Sequence, residues 1–151
     1  MTPKTEAQKM QKFIGTKIIH AEPRAKNYGP PEGHGQPGYT VVYPDGYTSW
    51  SPAAAFEDAY RPCNAMTFGL AIEALKKGSR VARAGWNGKG MWLFLIQGSN
   101  DLAKLHGYGF GEALGEPAFR DAIFMRTVDN QLVAWTASQT DVLAEDWAIV
   151  D

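Results

Sequence analysis

With 151 residues, 44% hydrophobic and 21% charged, the chain has the make-up of a folded protein of one ordinary domain or two small ones. Its 15 basic residues against 16 acidic ones leave a formal charge of −1. That balance excludes a general nucleic-acid coat, which needs a strongly basic face. One cysteine, Cys63, excludes an internal disulfide and fits a reducing cytosol.

The N-terminus MTPKTEAQKMQK is polar, lacks the apolar core of a signal peptide and reads as a frayed leader. No apolar run approaches the roughly 18 residues that span a bilayer. The expectation is a cytoplasmic protein with no membrane partner. Ile14, Lys17, Ile18 and Ile19 suggest a strand that Pro23 stops. RAKNYGPPEGHGQPG has no periodicity and reads as a surface loop. In YTVVYPDGYTSW, Tyr39, Val41 and Tyr43 alternate and Pro44-Asp45-Gly46 supplies turn residues, the pattern of a β-hairpin. Ser51 is expected to cap a helix with Pro52 at its first position. Phe56 and Tyr60, four apart, share the face that packs this helix onto the hairpin.

RPCNAM breaks the pattern and divides the chain into modules at 1–62 and 63–151. Both are expected to be α+β, each a small, mostly antiparallel β-sheet packed with one or two short helices. Thr67 caps a helix whose Phe68, Ala71, Ile72 and Leu75 recur at helical spacing, and Gly78 stops it. SRVARAGW is a short strand that leads into the polar turn NGKG. The apolar run MWLFLI suits a central strand buried on both faces. Residues 98–119 are irregular, with a helical turn at NDLAKL, and the glycine-rich GYGFGEALG reads as a flexible flap rather than a phosphate loop. AIFMRT and QLVAWT flank a Val128-Asp129-Asn130 turn, and WAIV closes as an edge strand. A module of this size buries a limited fraction of its surface, which is one reason to expect self-association.

His20, His34 and His106 are scattered, and none pairs with Cys63 at ligand spacing, so no metal or other cofactor is expected. Cys63 has no histidine nearby in sequence and is expected to be a small, buried, inert thiol. No G-x-S-x-G elbow and no P-loop occur.

The stretch WTASQTDVLAEDW, Trp135 to Trp147, gathers Ser138, Gln139 and Thr140 with Asp141, Glu145 and Asp146. Acid–base catalysis is one reading, although no partner base or metal ligand stands near in sequence. A capped short helix is the second, with Ser138 or Thr140 as N-cap, Asp141 in the first turn, and Val142 and Leu143 facing the core. The third is SQTD as one wall of a ligand pocket, with Trp135 and Trp147 in the core and Glu145 and Asp146 solvated. GWNGKG is the other candidate. Trp86 offers a stacking platform, Asn87 an amide that reads base edges, Gly88 an unobstructed backbone N–H and Lys89 a cation, the parts that hold a nucleotide. The alternative is a tryptophan plugging a core edge beside an ordinary turn. Arg80 and Arg83 on the preceding strand read as solvated surface, with pyrophosphate contact as the sharper option.

Residues 66–150 resemble the phage-encoded Thoeris anti-defence family, second type, through the FG…AL…G helix, the GWNGKGM turn and the SQTDVLAEDW close. The resemblance implies a binding protein and not an enzyme. Such a protein sequesters a cyclic nucleotide immune signal of the glycocyclic ADP-ribose type, made by bacterial TIR-domain proteins, without cleaving it. It implies a homotetramer with ligand pockets at subunit interfaces, and the charge balance adds the expectation of no nucleic-acid polymer as partner. On this chain it nominates Trp86 and Asn87 from the first motif and Ser138, Gln139, Thr140 and Asp141 from the second, with Asp141 accepting from ribose hydroxyls. Residues 1–62 lie outside that family's core and resemble a small module of phage and prophage proteins. Two other readings stand beside sequestration. One is a nucleotide phosphodiesterase or hydrolase using Asp141, Glu145 or Asp146; the other is a protein-interaction, toxin-like module whose tryptophans bury against a partner.

Overall fold

The alternation of Tyr39 and Val41, followed by a proline turn and a second β-prone run, builds the hairpin at the centre of the first unit. The structure, a computed structural model, describes residues 11, 14–86, 89–98 and 120–150. The anticipated helical turn NDLAKL and the flap GYGFGEALG therefore lie outside the described residues. The chain divides into two compact units, Met1–Arg61 and Pro62–Asp151. Each holds an antiparallel sheet with short helices, the small α+β architecture expected.

In the first unit β1 (His20–Pro23), β2 (Gly38–Val42) and β3 (Thr48–Pro52) form a three-stranded sheet in that order. The first strand begins later than Ile14. Its pairing starts with His20 opposite Val42, where β2 ends, so among the described residues Ile14–Ile19 has no strand to pair with, and Ile14 is 91% exposed. Pro23 ends β1 as expected. Helix α1 (Ala53–Ala59) follows β3 directly. Ser51 does not cap it: Ser51 is spent in the ladder opposite Tyr39, and Pro52 occupies the cap position with no side-chain bond. Phe56 does pack on the hairpin, stacked on Tyr39 at 4.1 Å and on Tyr60 at 5.0 Å. The Tyr39 hydroxyl donates to Glu57 at 2.9 Å, and that bond raises its pKa.

The segment between β1 and β2 is more ordered than its composition suggests. Arg24 N–H bonds Gly38 O at 2.8 Å, Lys26 N–H bonds Gln36 O at 2.9 Å, and Gly35 N–H bonds Lys26 O at 2.9 Å. These bonds carry the β1–β2 ladder outward as a ribbon. At its base Gly38 is required by sterics, because a Cβ there would collide with the Trp50 ring and the Ser51 carbonyl. A Gly38→Ala chain is expected to lose about 1–3 kcal/mol from this unit, read as reduced amide-exchange protection across β2 and β3.

The second unit is a five-stranded antiparallel sheet in the order β7-β6-β5-β4-β8. Its strands are β4 (Arg80–Arg83), β5 (Trp92–Ile96), β6 (Ala122–Arg126), β7 (Leu132–Ala134) and β8 (Trp147–Val150). Helix α2 (Phe68–Lys76) lies against it, capped by Thr67, whose hydroxyl accepts from Leu70 N–H at 3.4 Å, and stopped at Gly78 with φ 90°. Both termini fall where the sequence places them. Ala71, Ala74 and Leu75 on the helix close over Val81, Leu93, Met66 and Trp147 to make the core.

Strand β5 is central, as expected, yet it is not buried on both faces. Leu93 is fully buried and Leu95 packs on the core, whereas Trp92 and Phe94 are half-buried on the opposite face, edge to face at 5.5 Å. The pleat sends alternate residues to opposite faces, and α2 covers only one of them. Strand β8 lies at the sheet's edge, as read. Its outer side is bonded by Met66, which exchanges N–H···O bonds of 2.8 and 3.1 Å with Trp147, and by Cys63, whose carbonyl accepts from Ile149 N–H at 2.8 Å. Only backbone groups of Cys63 enter that pairing, so its side chain is exposed and not buried as expected. No helix among the described residues is long and apolar enough to cross a membrane.

Candidate functional site

The two stretches singled out in the sequence meet in the second unit. Strand β4 pairs with β8 so that Arg83 lies opposite Trp147, which brings the turn Ala84–Trp86 beside the segment Ser138–Asp146. Helix α3 (Gln139–Leu143) opens with a capping box: Ser138 Oγ accepts from Asp141 N–H at 3.1 Å, and Asp141 Oδ2 accepts from Ser138 N–H at 3.2 Å. Ser138, one of the two caps considered, is the one used, and Asp141 sits in the first turn.

Asp141 is the hub. Its Oδ2 also accepts the Ser138 hydroxyl at 2.8 Å, while Oδ1 accepts from Arg83 Nη1 at 2.9 Å and from the Trp86 indole N–H at 3.2 Å. Its backbone carbonyl accepts the Trp147 indole N–H at 2.9 Å. Arg83 forks: its Nε donates to Asp146 Oδ1 at 2.8 Å, and Asp146 Oδ2 in turn accepts from Gly85 N–H at 2.7 Å. Glycine at 85 leaves room for that carboxylate, since a Cβ there would lie 2.8 Å from Asp146 Oδ2.

Burial opposes ionisation of Asp141, but hydrogen bonds from Arg83, Ser138 and Trp86 outweigh it and lower its pKa to about 2. The Arg83 hydrogen bond likewise lowers the pKa of Asp146, against burial and with help from the Gly85 amide. The two carboxylates, Asp146 first, raise that of Arg83. Beneath the polar layer lies a cluster of rings. Trp86 meets Trp147 edge to face at 5.4 Å and Trp135 at 6.3 Å, and Phe68 closes on Trp147 at 5.5 Å.

Of the nominated residues, Trp86, Ser138 and Asp141 are thus joined directly. Gln139 and Thr140 are exposed on the first turn of α3, and Lys89 is exposed beyond the β4 turn. Asn87 and Gly88 lie outside the described residues. The far end of that turn is held by Arg126, which donates to Gly90 O at 2.7 Å and to Asn130 Oδ1 at 3.0 Å. Arg80 places its guanidinium 5.2 Å from the Trp92 ring centroid.

Three expectations need correction. Arg83 is not solvated surface, because its side chain is only 14% exposed between two carboxylates. Asp146 is not a solvated acid, because it ties Arg83 to Gly85; Glu145 is exposed. Val142 and Leu143 do not face the core: they are 43% and 75% exposed, and Ala144 packs inward instead. The inward space beside this short helix is filled by Trp147 and Trp135, which serve the core as expected. Arg83 and Asp146 are 63 residues apart, and only the β4–β8 register makes them neighbours. Among the described residues no three His, Cys, Asp or Glu side chains gather to hold a metal ion.

The segment that builds this site also carries the similarity to known proteins. Over 85 residues, 56% of this chain and 94% of the relative, the sequence is 58% identical to a Bacillus phage SP01 protein named Thoeris anti-defense 2. Residues 66–150, from the Met66 bridge to the end of β8, match the family described as the Thoeris anti-defense 2-like domain. The chain belongs to that family.

Proposed function

We propose that this protein counters the Thoeris defence of a bacterial host by binding a cyclic nucleotide signal of the glycocyclic ADP-ribose type in the host cytoplasm and holding it without cleavage. The observation that carries this reading is the union of Trp86 with Ser138–Asp141 inside the segment that defines the family. The name of the phage SP01 relative supports an anti-Thoeris role. The chemistry supports holding rather than reacting. Asp141 takes four hydrogen bonds on its two oxygens and is kept ionised, so it is a poor proton shuttle. Asp141 then acts by positioning Trp86, and contact with the ligand falls to Trp86, Ser138, Gln139, Thr140 and Lys89, with Asn87 and Gly88 beside Trp86 in the chain.

A homo-oligomer, a tetramer in our reading, completes the pocket across a subunit boundary. Exposed apolar side chains on edge strand β7 (Leu132, 62%; Val133, 40%) and on α3 (Leu143, 75%) support self-association. The deciding experiment is to incubate the protein with the signal, remove free ligand, denature the protein and analyse what is released. Intact signal in stoichiometric amount is expected. A cleaved product, formed with turnover and lost in Asp141→Asn, would instead establish a hydrolase. Gln139→Ala and Thr140→Ala are each expected to weaken retention by about 10-fold with an unchanged melting midpoint, because both side chains are exposed.

A further inference from the structure

The first unit contains a second assembly of aromatic, cationic and hydroxyl groups that the sequestration chemistry does not use. One face of its sheet is covered by α1 through Tyr39 and Phe56. On the other face, Thr40 pairs with Trp50 and Val42 with Thr48. The ribbon that extends the β1–β2 ladder folds over this face: the Trp50 indole N–H donates to Arg24 O at 2.7 Å, and Tyr28 meets Trp50 edge to face at 6.1 Å. Lys26 Nζ lies 5.3 Å from the Tyr28 ring centroid and 5.7 Å from that of Trp50. The result is an open cleft of about 600 Å³, with Arg24, Asn27, Tyr28, Tyr47, Thr48 and Trp50 in its wall.

Three features give this cleft a ligand chemistry. Tyr28 and Tyr47 are 52% and 64% exposed, whereas the rings of the Tyr39–Phe56–Tyr60 stack are half-buried, so these two serve the core less than those do. Arg24 is the charged side chain of the wall, and Lys26 is poised beside it. Asp45, the acid nearest Tyr47 in the chain, already accepts the Tyr47 amide at 3.0 Å. An apolar ligand would leave the Arg24 guanidinium unused, and an inorganic anion would leave the exposed Tyr47 ring unused. An aromatic anion uses both, and the amide and hydroxyl of Asn27 and Thr48 match a sugar or a base edge. The volume suits a small molecule. The cross-bonded ribbon fixes the backbone at Arg24 and Lys26 before anything binds, which lowers part of the ordering cost.

We propose that this cleft is a binding site for a free nucleoside monophosphate, with the base on the tyrosine rings and the phosphate at Arg24 and Lys26. The proposal stands independently of the signal site in the second unit. It is tested on the full chain by titrating AMP and GMP, with adenosine and inorganic phosphate as controls, and following binding by calorimetry and amide chemical shifts. The expected result is saturable binding with shifts at Tyr28, Tyr47, Thr48 and the Trp50 indole, and at least about 10-fold weaker binding of adenosine and of phosphate alone. Tyr47→Ala and Arg24→Gln, both surface changes, are expected to weaken AMP about 10-fold each without moving the melting midpoint, whereas Gln139→Ala leaves it unaltered. AMP binding abolished by Gln139→Ala and indifferent to Tyr47→Ala would assign it to the second unit and overturn the proposal. Tight binding of a single-stranded oligonucleotide with none of AMP or GMP would overturn it too, in favour of a strand-binding surface.

Discussion

A Trp147→Ala chain is expected to lose most of the stability of its second unit. Trp147 is completely buried and touches every layer around the site. Its ring packs on Phe68, Trp86 and Trp135, its indole N–H caps the Asp141 carbonyl, and its backbone bridges Met66. Truncating a buried tryptophan costs about 3–5 kcal/mol, a large share of the 5–15 kcal/mol that holds a domain together. Urea unfolding followed by far-UV circular dichroism should show the midpoint collapse. Trp147→Phe keeps most of the apolar area and removes the N–H, so a smaller loss of roughly 1–2 kcal/mol is expected. An alanine variant within about 1 kcal/mol of the parent would contradict this account of the core.

The second large effect belongs to Asp141. Its pKa in the folded chain is about 2, below the ordinary 3.8. A carboxylate whose folded pKa is depressed stabilises the fold fully above its unfolded pKa, and that contribution disappears as pH falls through the folded value. Asp141 should therefore contribute about 2 kcal/mol near neutrality, lost between about pH 4 and pH 2. The lowered pKa of Asp146 adds in the same direction. Asp141→Asn retains the size and an oxygen that can still accept from Arg83 and Trp86, but it removes the charge facing the guanidinium and turns an NH2 donor toward the Ser138 N–H. A loss of about 3 kcal/mol at pH 7 is expected, together with a shallower fall in stability between pH 4 and pH 2. Urea midpoints of parent and variant across that range make the comparison. Parallel curves would show that the carboxylate's charge is not what holds Trp86 and Arg83.

Local features were legible in the sequence because their causes are local. Thr67 caps α2 three residues before the amide it serves, and Gly78 stops the helix by adopting a backbone angle other residues avoid. Asn130 takes φ 63° in the turn expected around Val128-Asp129-Asn130. Ser138 and Asp141 close a capping box within one helical turn. What failed depended on partners elsewhere. Ile14–Ile19 has strand composition without a strand opposite it among the described residues, and Ser51 has capping chemistry but is taken up by the ladder. The run MWLFLI is apolar throughout, yet α2 covers one side of the sheet.

The sequence alone determined two small antiparallel units, the helix α2 with both its ends, the tryptophans of the core and the resemblance that family membership bears out. Only the tertiary structure decided what the charged residues do. Arg83 and Asp146, which looked like solvated surface and a spare acid, form with Asp141 the clamp that holds Trp86 against the start of α3. Those partners stand 55 to 63 residues apart. Their meeting follows from the register of β4 on β8, which is set by the burial of Val81 and Trp147 and carries no mark on the charged residues it brings together.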